Sequence, residues 1–373
     1  MNTQPRHDDA APKRRINSLA VFAGAVVTVV LGVVIGANVM FNRLLDAPLA
    51  GDHSENVSAT TTTEVAVALS TAPAAAKVQA VTTAFAPPAE DSLPEGDYGK
   101  MIRLGERIFK ETGKYAPRYV GNDLNCVNCH LDGGRKPDSA PLWAAFVHYP
   151  AYRSKTGKVD TLASRIQGCF AFSMNGKAPL QDDEIMTALQ TYAFWLATGA
   201  PVGKPMPGSG YPKLKKAAQP DYARGEKVYM QNCALCHGTD GQGQRTGNIQ
   251  VFPPLWGPKS FNWGAGMHQL ANAAGFIQTN MPLGKGGTLS EQDAWDVAMF
   301  MNSHERPQDP RFMGSIEATR KKYHDTDDSM YGRTVNGHVL GSPYRDGAAF
   351  ESVVATEARS YGTLIRNAGL ADR

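Results

Sequence analysis

Cys126-Val-Asn-Cys129-His130 and Cys233-Ala-Leu-Cys236-His237 are the two stretches on which the reading of this chain turns. Two thiols on one turn, followed at once by an imidazole, form the c-type haem attachment signature. The thiols reach the two vinyl groups of the porphyrin and the adjacent histidine coordinates the iron. A single such stretch would also suit a thioredoxin-like redox pair or half a zinc site. Two stretches, each with its histidine, point to two covalently bound c-type haems.

The surroundings of the two motifs repeat. Leu104-Gly-Glu-Arg-Ile-Phe109 precedes the first and Arg224-Gly-Glu-Lys-Val-Tyr229 the second. Each half ends in a helix with a polar start: Leu180–Tyr192, with apolar Ile185, Ala188, Leu189, Tyr192 and Trp195 at helical spacing, and Leu289–Met301. Helix, cysteine motif, long loop, helix resembles a class I cytochrome c seen twice. The predicted fold is all-α, with two such domains in tandem over residues 97–205 and 206–310 and a polar extension over 311–373.

Composition agrees. The 373 residues carry 38 Lys plus Arg against 35 Asp plus Glu, too balanced for a nucleic-acid binder. With 42% hydrophobic residues the chain has enough apolar side chains for buried cores. Lys13-Arg14-Arg15 stand before an uncharged stretch, Ile16 to Asn42. A helix over Leu19–Phe41 spans roughly 35 Å, enough for a bilayer core of about 30 Å. The stretch exceeds the usual signal-peptide core of about 7–15 residues, so residues 1–46 read as an uncleaved anchor, its helix at about 17–42. The basic cluster stays in the cytoplasm. That places the protein in the inner membrane as a single-pass protein, its domains in the periplasm. Residues 47–96, rich in Ala, Thr, Val and Pro, read as a flexible linker.

A six-coordinate haem needs a second axial ligand. For the second haem the donor is Met281, in Asn280-Met-Pro-Leu-Gly284, with His268 as its rival. In the first half Met174 stands at the same spacing from its histidine, yet Cys169, the fifth cysteine, lies in the same loop. Arg165 and Lys177 flank it and favour a thiolate. On the residues alone, Met174 and Cys169 are equal candidates. His148 reads as a packed histidine, His304 as a cap or solvated group, and the five tryptophans as walls of the haem pockets.

The run Arg165-Ile-Gln-Gly-Cys-Phe170 with Ser173-Met-Asn-Gly176, and Tyr149-Pro-Ala-Tyr-Arg153 before it, resembles the dihaem thiosulfate dehydrogenases over most of residues 97–310. The resemblance implies that Cys169 faces His130 at an active-site haem and Met281 faces His237 at a transfer haem. It also implies that Arg165 and Ser173, with Arg153 and Lys177, hold the anion. The implied reaction couples two thiosulfates to tetrathionate, or the reverse, with a soluble or membrane-bound cytochrome c as electron acceptor. Some members carry a lysine directly before the second-haem methionine. Here that position is Asn280, so a ligand exchange of that kind is not expected. The alternative is a membrane-anchored dihaem electron-transfer subunit of an oxidase or dehydrogenase, which would use Met174 and Met281 and turn over no small molecule.

Overall fold

The computed structural model describes residues 85–216 and 218–342. The expected membrane helix (about 17–42), the linker as far as residue 84 and the tail beyond 342 lie outside the described residues. Among the described residues, no helix is long and apolar enough to cross a membrane.

The first half is framed by α1 (Gly96–Lys110), which buries Gly99, Ile102, Gly105, Ile108 and Phe109 along one face. After the Cys126 motif come α2 (Leu142–His148), the antiparallel hairpin β1 (Ala151–Arg153) and β2 (Lys158–Asp160), then α3 (Leu162–Gly168). The chain runs from α3 into a π-helical turn, Cys169–Ser173. The half closes with α4 (Glu184–Leu196), started where the Asp183 carboxylate accepts the Ile185 N–H. Met186, Leu189, Tyr192 and Leu196 of α4 join Ile102, Ile108, Phe109, Trp143 and Phe170 in one core.

The second half repeats the frame with α5 (Tyr222–Asn232), hairpin β3 (Gln244–Thr246) and β4 (Ile249–Phe252), α6 (Leu270–Asn280) and α7 (Glu291–Asn302). Asp221 and Ser290 cap α5 and α7. The glycine shared by the two sequence repeats now has a physical reason. A Cβ on Gly105 would stand 2.1 Å from the Ala188 carbonyl oxygen, and one on Gly225 would stand 2.0 Å from that of Asp296. In each half the first and last helices cross backbone against backbone, which only glycine permits.

Several details differ from the sequence reading. The framework is helical, but among the described residues three two-stranded hairpins are added, the third being β5 (Thr334–Val335) with β6 (His338–Val339). Strands of two to four residues are too short to leave a period in the sequence. The final stretch of the linker is docked: Phe85 lies 5.2 Å from the Trp143 ring, and the Arg135 guanidinium donates to the Pro88 carbonyl at 2.7 and 2.6 Å. The extension is not merely solvated, since Thr319, His324, Met330, Tyr331 and Leu340 are buried. His304 is buried too, stacked on Trp256 at 4.2 Å. Its Nδ1 lies 2.7 Å from the Phe300 carbonyl oxygen, one turn back in α7, so the ring caps the helix end from inside the core rather than from solvent.

Candidate active site

Each cysteine motif opens on a cavity. The first, of about 340 Å³, is lined by Cys126, Cys129, His130, Arg165, Cys169, Ser173 and Met174 among mostly apolar side chains. The second, of about 490 Å³, is lined by Cys233, Cys236, His237 and Met281 in similar company. Leu124, Cys129, Phe261 and Met267 line both, so the two cavities share a wall.

The histidines are set for ligation. His130 Nδ1 lies 2.7 Å from the Ala140 carbonyl oxygen and His237 Nδ1 lies 2.9 Å from that of Pro253. A carbonyl only accepts, so each Nδ1 carries its proton and the Nε2 lone pair stays available to a metal. Burial pulls the His130 imidazole down to about 4 and moves His237 the same way, which keeps both neutral. Each cavity therefore offers a cysteine pair for thioether bonds, a neutral imidazole and at least one sulfur donor within apolar walls. That donor set fits a covalently bound c-type haem.

Cys169 opens the π-helical turn, one helical turn after Arg165 on α3. The Arg165 guanidinium donates to Cys169 Sγ at 2.8 Å. The charge of Cys169 raises the arginine above its ordinary range despite the opposing effect of burial. Ser173 lines the same cavity. Met174 does so as well, but it is only 2% exposed and packs into the first core.

Of the other residues expected here, Arg153 and Lys177 are not brought to the cavity. Arg153 sits on β1, 3.4 Å from the Asp160 carboxylate, and Lys177 is exposed. Chain proximity to Cys169 placed Lys177 in the sequence reading, but the turn after Ser173 carries its side chain outward. His268 drops out as an iron ligand: it is buried away from the second cavity, with Nδ1 on the Ala265 carbonyl and Nε2 3.3 Å from His324 Nδ1. Lys285 is exposed, and Asn280 is buried with its amide on the Asp138 carbonyl at 3.1 Å. None of the five tryptophans lines either cavity; they fill the cores behind, and the walls are Phe, Leu, Met, Ile and Pro.

The structure adds one cation that sequence reasoning missed. Lys155, in the β1–β2 turn, donates to the Gly264 carbonyl and lies 4.3 Å over the Phe172 ring. Burial pulls its ammonium down to about 7, with the charges of Arg311, Arg165 and Arg153 adding to the effect. Gly264 and Arg311 come from distant sequence, so no local pattern could flag it.

Two helical domains with a haem-binding cavity each define a dihaem c-type cytochrome. Comparison with known proteins narrows the class. Residues 118–202 match the cytochrome c domain model of SoxA/TsdA, and residues 220–301 match that of the cbb3-type cytochrome c oxidase subunit III. The thiosulfate dehydrogenase of Thiomonas intermedia is 57% identical over 258 residues, 69% of this chain and 82% of that protein. That of Stutzerimonas stutzeri is 55% identical over 260 residues, 69% of this chain and 85% of its own length. The as-isolated thiosulfate dehydrogenase TsdBA from Marichromatium purpuratum aligns with a TM-score of 0.68 at 51% identity, over 70% of this chain and 58% of that one. The chain belongs to the thiosulfate dehydrogenase family.

Proposed function

We propose that this protein oxidises thiosulfate to tetrathionate at the first cavity, with His130 and Cys169 as axial ligands there and His237 and Met281 as ligands at the second. The observation that carries this reading is the Arg165 guanidinium 2.8 Å from Cys169 Sγ, on the wall of a haem cavity. A pure electron carrier has no use for a cation at that point.

Two thiosulfate dianions joined sulfur to sulfur give one tetrathionate dianion and two electrons. When bound, the two haems supply one-electron chemistry, so the pair accommodates both electrons. The residues have the remaining task of bringing two dianions together. At 4 Å and an effective dielectric of about 20, each unit-charge pair repels by roughly 4 kcal/mol. Arg165 offsets part of that within the cavity, its planar fork suiting an oxyanion, and Ser173 offers a hydroxyl. Lys155 adds positive field from outside the lining. Leu124, Cys129, Phe261 and Met267 line both cavities, so a largely apolar wall lies between the two haem sites. Met281, a thioether, suits a higher-potential exit site, and a thiolate suits a lower-potential entry site.

The domain limits at about 97–205 and 206–310, the membrane anchor, the periplasmic location and a cytochrome c acceptor complete the reading. They rest on the sequence pattern and on the need for covalent haem attachment outside the cytoplasm. The test is low-temperature EPR of the oxidised, haem-loaded protein. A thiolate-type low-spin ferric signal beside a His/Met signal is expected. Two His/Met signals would put Met174 on the first iron and leave an electron-transfer subunit as the better reading.

A further inference from the structure

The π-helical turn that carries Cys169 ends in carbonyls its own chain uses little. A helix end leaves its last carbonyls without intrahelical donors. Cys169 O is taken by the Met174 N–H at 2.9 Å and Phe170 O by the Gly176 N–H at 2.9 Å. Phe172 O accepts the Asn175 N–H at 3.4 Å, and the three carbonyls after Phe170 O are all reached from elsewhere in the chain. Asn262, in the second half of the chain, donates its side-chain amide to Ala171 O at 2.9 Å and its backbone N–H to Phe172 O at 3.2 Å. Asn122, just before the first cysteine motif, donates to Ser173 O at 2.8 Å and also to Ser260 O at 3.1 Å.

Asn262 has little freedom to do otherwise. It is 1% exposed, the second hydrogen of its amide goes to Asn175 Oδ1 at 3.0 Å, and its own Oδ1 accepts the Gly264 N–H at 3.0 Å. The neighbouring glycine presses on the same turn: a Cβ on Gly264 would stand 2.4 Å from Phe172 Cδ1. Phe172 is further held by Lys155 at 4.3 Å and by Arg311 at 4.9 Å from its ring.

We propose that Asn262 is a positioning residue for Cys169: the domain of the second haem sets where the sulfur at the first one stands. Cys169 lies two residues before the carbonyl that Asn262 holds, in a turn with no further slack. A shift of the turn moves Sγ relative to both His130 and Arg165. The inference rests on Cys169 being the first iron's ligand. It predicts that damage confined to the second domain appears in the spectrum of the first haem.

The experiment uses the haem-loaded protein and the Asn262→Asp substitution. The carboxylate matches the amide in shape but faces Ala171 O and Asn175 Oδ1 with acceptors alone. The expected result is a first-haem EPR signal that splits or broadens, with the second-haem signal unchanged. The kcat falls about tenfold or more, as misplacement of a reacting group by a fraction of an ångström does, while KM changes little. If that variant fails to load both haems, Asn175→Gly serves instead. It removes the other hold on the Asn262 amide at a position whose φ of 45° glycine accepts, and it should move the same signal less. A first-haem signal and kcat identical to wild type, whatever the melting temperature, would overturn the proposal. The unsubstituted protein separates the two ideas: if it lacks a thiolate-type signal, the ligand assignment falls and this inference falls with it. A thiolate-type signal unmoved by the substitution removes Asn262 alone.

Discussion

Replacing Arg165 with glutamine should lower the reduction potential of the first haem and leave the second where it is. The guanidinium nitrogen stands 2.8 Å from Cys169 Sγ, half-buried on the cavity wall. Bare Coulomb attraction at that distance with an effective dielectric of 20 would reach about 6 kcal/mol, a ceiling that cavity solvent reduces. Hydrogen bonds to charged groups contribute about 1.5–3 kcal/mol in practice. For a one-electron couple, with a tenfold change in ratio equal to 59 mV, that range corresponds to roughly 65–130 mV. The sign follows from charge. Arginine draws electron density from the thiolate, and without it the sulfur donates more strongly to ferric iron, so the oxidised form gains. Removing a nearby cation acts in the same direction. The assay is a potentiometric titration followed by EPR, with the second haem as internal reference. A first-haem potential that rises, or stays put while the protein remains folded, would refute the pairing of Arg165 with an iron-bound thiolate.

Cys169→Met should leave both haems covalently attached but abolish thiosulfate oxidation, read by steady-state assay on protein with a normal haem stain; retained turnover would remove the cysteine from the chemistry. Thiosulfate KM should rise with pH between about 7 and 9. Lys155 is held at about 7 without substrate, so above that pH an arriving dianion must be accompanied by proton uptake, which weakens apparent affinity by at most tenfold per pH unit. Lys155→Met should flatten this profile at constant ionic strength, and an unchanged slope would assign it elsewhere. Gly225→Ala adds a Cβ 2.0 Å from the Asp296 carbonyl oxygen. The clash of about 1–3 kcal/mol should exceed the helix-propensity gain of about 1 kcal/mol and lower the melting temperature by a few degrees. A rise would show that the helices separate freely.

The frame was legible because it is local and repeated. Gly105 and Gly225 sit at matching positions before matching cysteine motifs, and the caps at Asp183, Asp221 and Ser290 stand directly before their helices. Histidine, cysteine pair and haem cavity follow within a few residues of one another. Lys155, Asn122 and Asn262 were not legible, because each acts on a partner far along the chain. Asn262 reaches back to Ala171, and Lys155 reaches forward to Gly264. An asparagine in a loop carries no signal of its own until a distant carbonyl is placed beside it. Lys177 shows the converse error, since nearness in sequence did not survive one turn of backbone.

The repeat leaves a choice open at the point where function enters. Spacing alone makes Met174 the counterpart of Met281, and both line their cavities. Position therefore does not choose between Met174 and Cys169; the proposed reading chooses by charge. A guanidinium at 2.8 Å stabilises a thiolate and gains almost nothing from a neutral thioether. A partly buried Arg165 is stabilised by a negative partner, and a thiolate at Cys169 or an incoming anion would supply one. The second cavity also has a lining cation, Lys136, but it comes from the first half of the chain together with the carboxylate of Asp132. On the proposed reading, a half-buried guanidinium hydrogen-bonded to sulfur is what sets the substrate site apart from the electron-transfer site, within two halves whose helical frames are alike.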